Sequence, residues 1–235
     1  MAGSTQSPRA RYREQTRAEI KEIALRQLAE GGTGAVALTR IAKEVGLSGP
    51  ALYRYFDSRD ALLTDLIRDA YADLAAAVTE AAEALPATTS PRARLRALAT
   101  ACRNWAVAQP HRYLLIQGTP VPGYSAPPET VDSARAVLGP FLPAFDGAEP
   151  SSAVRPVVTQ MKAWADTDPP VSEWVRLNAP AVDQGTALAG AMLAWSHMHG
   201  VVGLEVSGQF DGMGHDGGTL LTAQMDSLAD TFGLA

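Results

Sequence analysis

The sequence predicts an all-α protein, and three of its features lead to that prediction. Its 235 residues contain long stretches rich in alanine and leucine, with few runs of β-branched residues. Apolar residues in these stretches recur every three or four positions, which is the spacing of one helix face. Clusters of glycine, proline and serine separate the stretches, as expected of connections between helices. With 46% hydrophobic and 19% charged residues, the chain has enough apolar material for a large core.

The first predicted helix spans residues 14–30, after a small, polar N-terminus that we expect to be disordered over residues 1–10. Ile20 and Leu28 belong to its apolar face. Gly31 ends it, because glycine adopts the left-handed cap conformation at little cost. Three cations near its start either reach a neighbouring phosphate or lie in solvent: Arg11, Arg13 and Arg17.

Residues 39–56, TRIAKEVGLSGPALYRYF, predict two short helices joined by a tight turn that follows Gly46. The expected N-cap of the first helix, Ala37, has no side-chain acceptor, so either its cap is weak or the helix begins at Thr39. Ser48 caps the second helix, which is predicted to direct three side chains outward: Tyr53, Arg54 and Tyr55. A helix-turn-helix of this kind places its second helix in the major groove of DNA.

The rest of the chain predicts a larger helical body. Helices are expected at about residues 59–85, 91–109, 111–117, 129–145, 151–164, 172–178, 181–207 and 219–232. We expect a loop at 118–128, a kink at Gly139-Pro140, and burial of helix 181–207, which is apolar nearly all round.

The charge distribution supports a DNA-binding head. The net charge of −5 taken alone argues against nucleic-acid binding. Residues 1–60, however, hold ten Lys/Arg against seven Asp/Glu, which gives a net charge of +3. Residues 61–235 hold the other ten Lys/Arg against eighteen Asp/Glu, which gives −8. A basic head on an acidic body concentrates the positive field where phosphates would lie. Chance clustering is the alternative.

Residues 14–66, with the run IAKEVGLSGPALYRYFDSRDALL, resemble the N-terminal domain of TetR-type (tetracycline-repressor-like) transcriptional regulators. Two positions depart from the family pattern: Ala37 stands where Ser or Thr is usual, and Arg59 where Lys is usual. Residues 195–200, WSHMHG, are similar to a subgroup with a Trp…His-Gly motif in its late apolar helix. The resemblance implies an α-helical homodimer, a ligand cavity in each body and repression relieved by a small molecule.

From the motif and the resemblance together we expect residues 1–60 to form the helix-turn-helix domain and 61–235 a helical ligand-binding and dimerisation domain. The expected function is a ligand-responsive repressor that binds a palindromic operator as a homodimer and is released by a small apolar or amphipathic ligand. Its expected partners are double-stranded operator DNA, a second copy of itself and an unidentified small molecule, without a cofactor or membrane. We expect it in the bacterial cytoplasm, at the nucleoid when bound, since the sequence shows neither a signal peptide nor a membrane span.

The side chains of the motif divide by chemistry. Hydroxyl groups of Ser48, Tyr53 and Tyr55 suit phosphate contacts that set register, although the two tyrosines would alternatively pack the small domain. Arg54 is a predicted base reader, since an arginine that grips guanine contributes ~1–3 kcal/mol of discrimination. The full set of predicted DNA-binding residues is Thr39, Arg40, Lys43, Ser48, Gly49, Pro50, Ala51, Tyr53, Arg54, Tyr55 and Arg59.

Two further sets are predicted in the body, and core packing is the alternative for each. Aromatic residues with a few polar anchors would line a ligand cavity: Asn104, Trp105, Tyr113, Gln117, Gln160, Met161, Trp164, Trp174, Met192, Trp195 and His199. Small and apolar residues of the last two helices would form a dimer interface: Ala187, Gly190, Ala191, Ala194, Met198, Val202, Leu221, Met225 and Leu228.

Other functional classes receive less support from the sequence. His197 and His199 diverge by about 200° on a helix, so they do not readily share a metal ion. An enzyme would need a nucleophile and base such as Cys102 with His111, or Ser196 with His199, but no motif accompanies them. A non-specific DNA-architectural protein is the third alternative.

Overall fold

A computed structural model describes residues 7–117, 124 and 130–235 of the chain. Within these ranges the protein consists of α-helices and two 3₁₀ helices without a strand, which confirms the all-α prediction. The α-helices are α1 (Pro8–Gly31), α2 (Leu38–Val45), α3 (Gly49–Leu52), α4 (Arg59–Glu83), α5 (Pro91–Ala108), α6 (Pro110–Gln117), α7 (Thr130–Leu138), α8 (Arg155–Thr167), α9 (Pro169–Asn178), α10 (Gln184–Val206) and α11 (Gly217–Thr231). The 3₁₀ helices are Thr33–Ala35 and Gly139–Phe145. Of the helices in these ranges, none is long and apolar enough to cross a membrane.

The first helix begins ahead of its predicted start. α1 begins at Pro8, so the predicted disorder is wrong for residues 8–10, while residues 1–6 lie outside the described part of the chain. Ser7 explains the early start, because its side-chain oxygen accepts a hydrogen bond of 3.2 Å from the Ala10 N–H. Pro8 suits the first helical position, where its missing N–H costs nothing.

The predicted helix over residues 129–145 is α-helical only as far as Leu138. From Gly139 the chain tightens into a 3₁₀ helix that contains Pro143. Two prolines and a glycine within a few residues disfavour the i−4 hydrogen bonds of an α-helix, so the predicted kink is a change of helix type.

The starts of α8 and α9 differ from the predicted residues. α8 begins at Arg155, later than the predicted residue 151, and α9 begins at Pro169, earlier than predicted, because Asp168 caps it through the Val171 N–H. The loop expected over 118–128 lies outside the described residues except for Tyr124.

The contacts of the chain divide it into two compact units. The first comprises Met1–Ala70 and His111–Pro127, and the second Tyr71–Pro110 and Pro128–Ala235. The expected boundary at residue 60 therefore falls inside the first unit, and the chain passes to the second within α4. Apolar residues of α4 as far as Leu66 belong to the first core, which explains the later division.

The core of the first unit holds the helix-turn-helix together. It consists of Ile20, Ile23, Ala24, Leu28, Val36, Leu38, Ile41, Ala42, Leu52, Phe56, Leu62, Leu63 and Leu66. Leu52 and Phe56, on either side of the exposed turn, are almost completely buried. The short α3 is thus stabilised by burial rather than by its own length.

The second unit is built around α10, which packs against α5, α8, α9, α11 and the second 3₁₀ helix. Its first turns are buried, as predicted for an apolar helix. An ion-pair network joins its far end to its neighbours: Arg103 of α5 donates to Glu205 of α10 at 2.7 Å and to Asp216 at 3.2 Å. Asp216 also caps α11, and its bonds to backbone N–H groups, first that of Thr219, lower its pKa.

Ala37 is the N-cap of α2, and no side chain caps that helix. Its own N–H donates to Oε1 of the buried Gln27 at 3.0 Å. The Ala37 backbone, at φ −128° and ψ 116°, already has the extended conformation that a capping serine adopts.

We therefore expect Ala37→Ser to raise the free energy of unfolding by about 1 kcal/mol, because the added oxygen accepts an unpaired N–H of the first turn. Ser58→Ala is the matched variant, in which a helix loses its capping side chain. It removes the oxygen that accepts from the Ala61 N–H at 3.0 Å, and it should lower stability by a similar amount. Urea unfolding of both variants measures this, and no gain from Ala37→Ser would contradict the weak cap.

Candidate nucleic-acid interface

The helix-turn-helix forms as predicted, with a shorter second helix. Gly46 ends α2 in the left-handed conformation at φ 77°. The Ser48 side chain accepts from the Ala51 N–H and caps α3. α3 ends at Leu52, and the chain continues in hydrogen-bonded turns through the reading turn, which we define as Tyr53, Arg54 and Tyr55.

The structure exposes most of the predicted DNA-binding side chains. Exposed members are Thr39, Arg40, Lys43, Ser48, Gly49, Pro50, Tyr53 and Arg54, and half-buried members are Ala51, Tyr55 and Arg59. Tyr53 is 50% exposed. Tyr55 is half-buried and packs against the core, so it projects outward less than predicted, and the DNA contacts themselves stay predictions.

Two arginines of α1 hold the reading turn from behind. Arg17 donates to the Tyr55 carbonyl at 2.7 Å, forms an ion pair with Asp65 of α4, and lies 4.3 Å from the centre of the Phe56 ring. Arg13 donates to the Arg54 carbonyl at 3.2 Å. The sequence pattern did not indicate either bond, because a basic residue near a helix start is ordinarily solvated.

Two of the predicted DNA-binding cations are engaged within the first unit. Arg40 pairs with Glu30 at 2.8 Å and with Glu44 at 3.2 Å, and the hydrogen bond that it donates to Glu30 raises its pKa. Arg59 donates to the carbonyls of Val36, at 3.1 Å, and Thr33. Arg40 would have to leave both carboxylates to read a base, and Arg59 already has a structural role.

By contrast, Lys43 and Arg54 form no ion pair within the part of the chain that the structure describes. Arg54 is exposed on the reading turn. Of the cations proposed from the motif, these two are the ones without a partner in the described residues, so they are the most available to a phosphate or a base edge.

The predicted ligand residues are spread over both units. Tyr113 and Gln117 belong to the first unit and the other nine to the second. Asn104, Gln160 and Trp164 are exposed. Among the rest, Trp174 lines a groove of about 450 Å³ between α7 and α9, with Arg135 and Glu173. Their common role as a cavity stays a prediction.

Burial favours the neutral form of both histidines of α10. Burial lowers the pKa of His199 to about 4 and lowers that of His197. His199 lies edge-on to Trp195, with ring centres 4.0 Å apart. Among the described residues, no group of three potential metal ligands comes together.

The nine residues of the predicted dimer interface lie inside the second unit, and their part in dimerisation stays a prediction. All nine are buried within the single chain, for example Ala187 and Met225 at 0% exposure. At Gly190 the reason is direct, because a β-carbon there would lie 2.3 Å from the Phe145 ring. The small residues of α10 permit close packing inside the protomer, which was the alternative interpretation.

The helical fold of the described residues, with an exposed helix-turn-helix in the N-terminal unit, is typical of DNA-binding transcriptional regulators. Residues 20–66 match the bacterial regulatory proteins of the tetR family, and residues 95–228 match the tetracyclin repressor-like C-terminal domain. The chain belongs to the TetR family of transcriptional regulators.

Relatives of similar length support this assignment. The HTH-type transcriptional regulator Rv1816 of Mycobacterium tuberculosis is 37% identical over 214 residues, which cover 90% of each chain. The solved regulatory protein SCO4313 is 41% identical, with a TM-score of 0.77 over 95% of this chain and 100% of its own. FadR from Bacillus subtilis, solved with stearoyl-CoA, is 13% identical and shares the fold, with a TM-score of 0.55 over 91% of this chain and 98% of its own.

These relatives are regulators, so the chain is not an enzyme. The candidate nucleophiles agree with that conclusion. Burial raises the pKa of Cys102 to about 12, which keeps it a thiol, and the Ser196 hydroxyl donates to the Met192 carbonyl at 2.8 Å. No match bears on the Trp…His-Gly motif, which stays a prediction.

Arg17→Ala should lower the free energy of unfolding by about 2 kcal/mol, because it removes charged hydrogen bonds to two partly buried partners. Hydrogen exchange should quicken at the Tyr55 and Phe56 amides. Arg26→Ala on the same helix is the control, since Arg26 forms exposed pairs with Glu22 and Glu44 and should lose less than about 1 kcal/mol. Equal losses in the two variants would contradict a special role for Arg17.

Proposed function

We propose that this regulator is a repressor that binds a palindromic operator as a homodimer and is released by a small apolar or amphipathic ligand. The observation that carries the proposal is the exposed reading turn, which α1 and α4 hold from behind through Arg13, Arg17 and Asp65. A preorganised reading element loses little conformational entropy when it binds DNA.

In this proposal the exposed side chains act in two ways. Ser48, Tyr53 and Lys43 contact phosphates and set the position on the duplex. Arg54 reads a guanine, because it is exposed and has no carboxylate partner within the described residues. Such a regulator acts in the cytoplasm, at the nucleoid.

Dimerisation follows from the symmetry of a palindrome, since two heads related by a two-fold axis read inverted half-sites. The buried faces of α10 and α11 are unavailable for this contact. We therefore propose the exposed side of α10, where Ser196, Gly200 and Leu204 recur every four residues and Leu204 is 47% exposed. Small residues with one exposed leucine suit close approach of a second copy.

The ligand is proposed to bind in the second unit. The groove at Trp174, of about 450 Å³, has a size in the range of drug-sized ligand sites. Proteins of the same fold have been solved with stearoyl-CoA and with minocycline, which supports a ligand-binding role without identifying the ligand. The chain passes from the first unit to the second within α4. A ligand that binds more tightly to one position of α4 increases the population of that position, and in this proposal it thereby changes the affinity of the head for the operator.

A footprint on DNA upstream of the gene and its neighbours tests the proposal. We expect two protected half-sites in inverted orientation, less transcript from the bound promoter in vitro, and loss of protection with a suitable ligand. One unpaired half-site would contradict the homodimer. More transcript in the presence of the protein would contradict repression.

Arg54→Ala should weaken binding to the footprinted site by about 10-fold or more, with a much smaller effect on random duplex, because a bidentate base contact contributes ~1–3 kcal/mol of discrimination. Competition gel shifts with both duplexes measure the difference. Tyr53→Phe is the companion variant, and it should weaken both duplexes alike. If Arg54→Ala weakened binding to the two duplexes equally, Arg54 would be a phosphate contact.

A further inference from the structure

The N-terminal end of α1, residues 8–15, projects beyond the core of the first unit. From Thr16 onward one side of α1 is buried, including Ile20 at 0% exposure. All residues from 8 to 15 are exposed, and Tyr12 is 67% exposed. The helix is nevertheless capped at its start by Ser7, so this end is a formed helix.

The exposed end carries cations on the same side of α1 that is buried further along. At about 100° per residue, Arg9 and Arg13 lie within about 20° of Ile20 around the helix axis. Arg11 points to the opposite side, about 200° from Arg9. The side that packs into the core further along thus presents Arg9, Tyr12 and Arg13 at this end.

This basic side lies against the reading turn, since Arg13 donates to the Arg54 carbonyl at 3.2 Å. Arg9 forms no ion pair within the described residues, whereas Asp65 neutralises Arg17 one helix turn further along from Arg13. On this side of the head, Arg9, Arg13 and Arg54 are therefore three cations without a carboxylate partner in the described residues.

We infer that Arg9, Tyr12 and Arg13 form a second DNA-binding surface that contacts phosphates beside the groove read by the reading turn. The inference rests on the proposed DNA contact of Arg54, with which this surface is continuous. Arg9 lies about 6 Å beyond Arg13 along the helix axis. Phosphates of one strand follow one another every ~3.4 Å of duplex, so the two arginines meet different phosphates. The Tyr12 hydroxyl donates to a phosphate oxygen between them.

Arg9→Ala and Arg11→Ala test the surface as a matched pair, since each removes one arginine from the same exposed helix end on opposite sides. Fluorescence anisotropy measures binding of the full chain to a random 30-base-pair duplex and to the upstream fragment across a salt series. Arg9→Ala should weaken both duplexes about five- to tenfold near 0.1 M salt and reduce the slope of log K against log salt by about 0.9. Arg11→Ala should keep the slope of the unaltered protein.

Arg9→Lys should restore the slope, because it restores the charge, and circular dichroism checks that the helix is retained. Equal slopes for Arg9→Ala and Arg11→Ala would overturn the inference while leaving the helix-turn-helix proposal intact. Loss of affinity confined to the upstream fragment would also overturn it, since phosphate contacts do not depend on sequence. Failure of the unaltered protein to bind either duplex would instead defeat the proposed function.

Discussion

The geometry of the DNA-binding head depends on the contacts of the Arg17 guanidinium. One group contacts three elements: the Tyr55 carbonyl, the Asp65 carboxylate of α4 and the Phe56 ring. α3 has only four residues, too few for a stable helix by itself. The reading turn that follows α3 therefore takes its position from the core below it and from Arg17 behind it. The position of the Arg54 backbone follows from these contacts.

The pairing of charges decides which cations are available to DNA. The first sixty residues have a net charge of only +3, yet this charge is unevenly distributed. Arg40 and Arg17 form ion pairs with carboxylates, and Arg59 donates hydrogen bonds to backbone carbonyls. By contrast, Arg54 and the arginines at the exposed end of α1 have no carboxylate partner within the described residues.

The sequence predicts the fold and the helix-turn-helix well, because their signals are local. Glycine at positive φ and the serine cap act within a few residues, and Gly46 and Ser48 behave as expected. The start of α1 was missed because Ser7 and Pro8 lie in a polar stretch that resembles a disordered tail. The sequence does not predict the hydrogen bonds that Arg13 and Arg17 donate to the reading turn, because these bonds join residues about forty positions apart.

The dimer residues show a different limit. An apolar helix pattern predicts burial, but it does not say whether the burying surface belongs to the same chain or to a second copy. For α10 the deciding residue is Phe145, whose ring lies against Gly190 and whose position in a 3₁₀ helix the sequence did not indicate. Small residues therefore predict close approach without naming the partner. The exposed side of the same helix, which is less apolar, is the side that we propose for the dimer contact.

α4 connects the proposed ligand response to DNA binding. Its first turns belong to the core of the head, through Leu62 and Leu66, and its polar side joins α1 through Asp65 and Asp69. Its later residues, such as Val78, are buried in the part of the chain assigned to the second unit. One continuous helix therefore contributes to both units. In the proposed mechanism, a ligand alters operator affinity only by a difference in its affinity for two positions of this helix, which is typically ~1–3 kcal/mol.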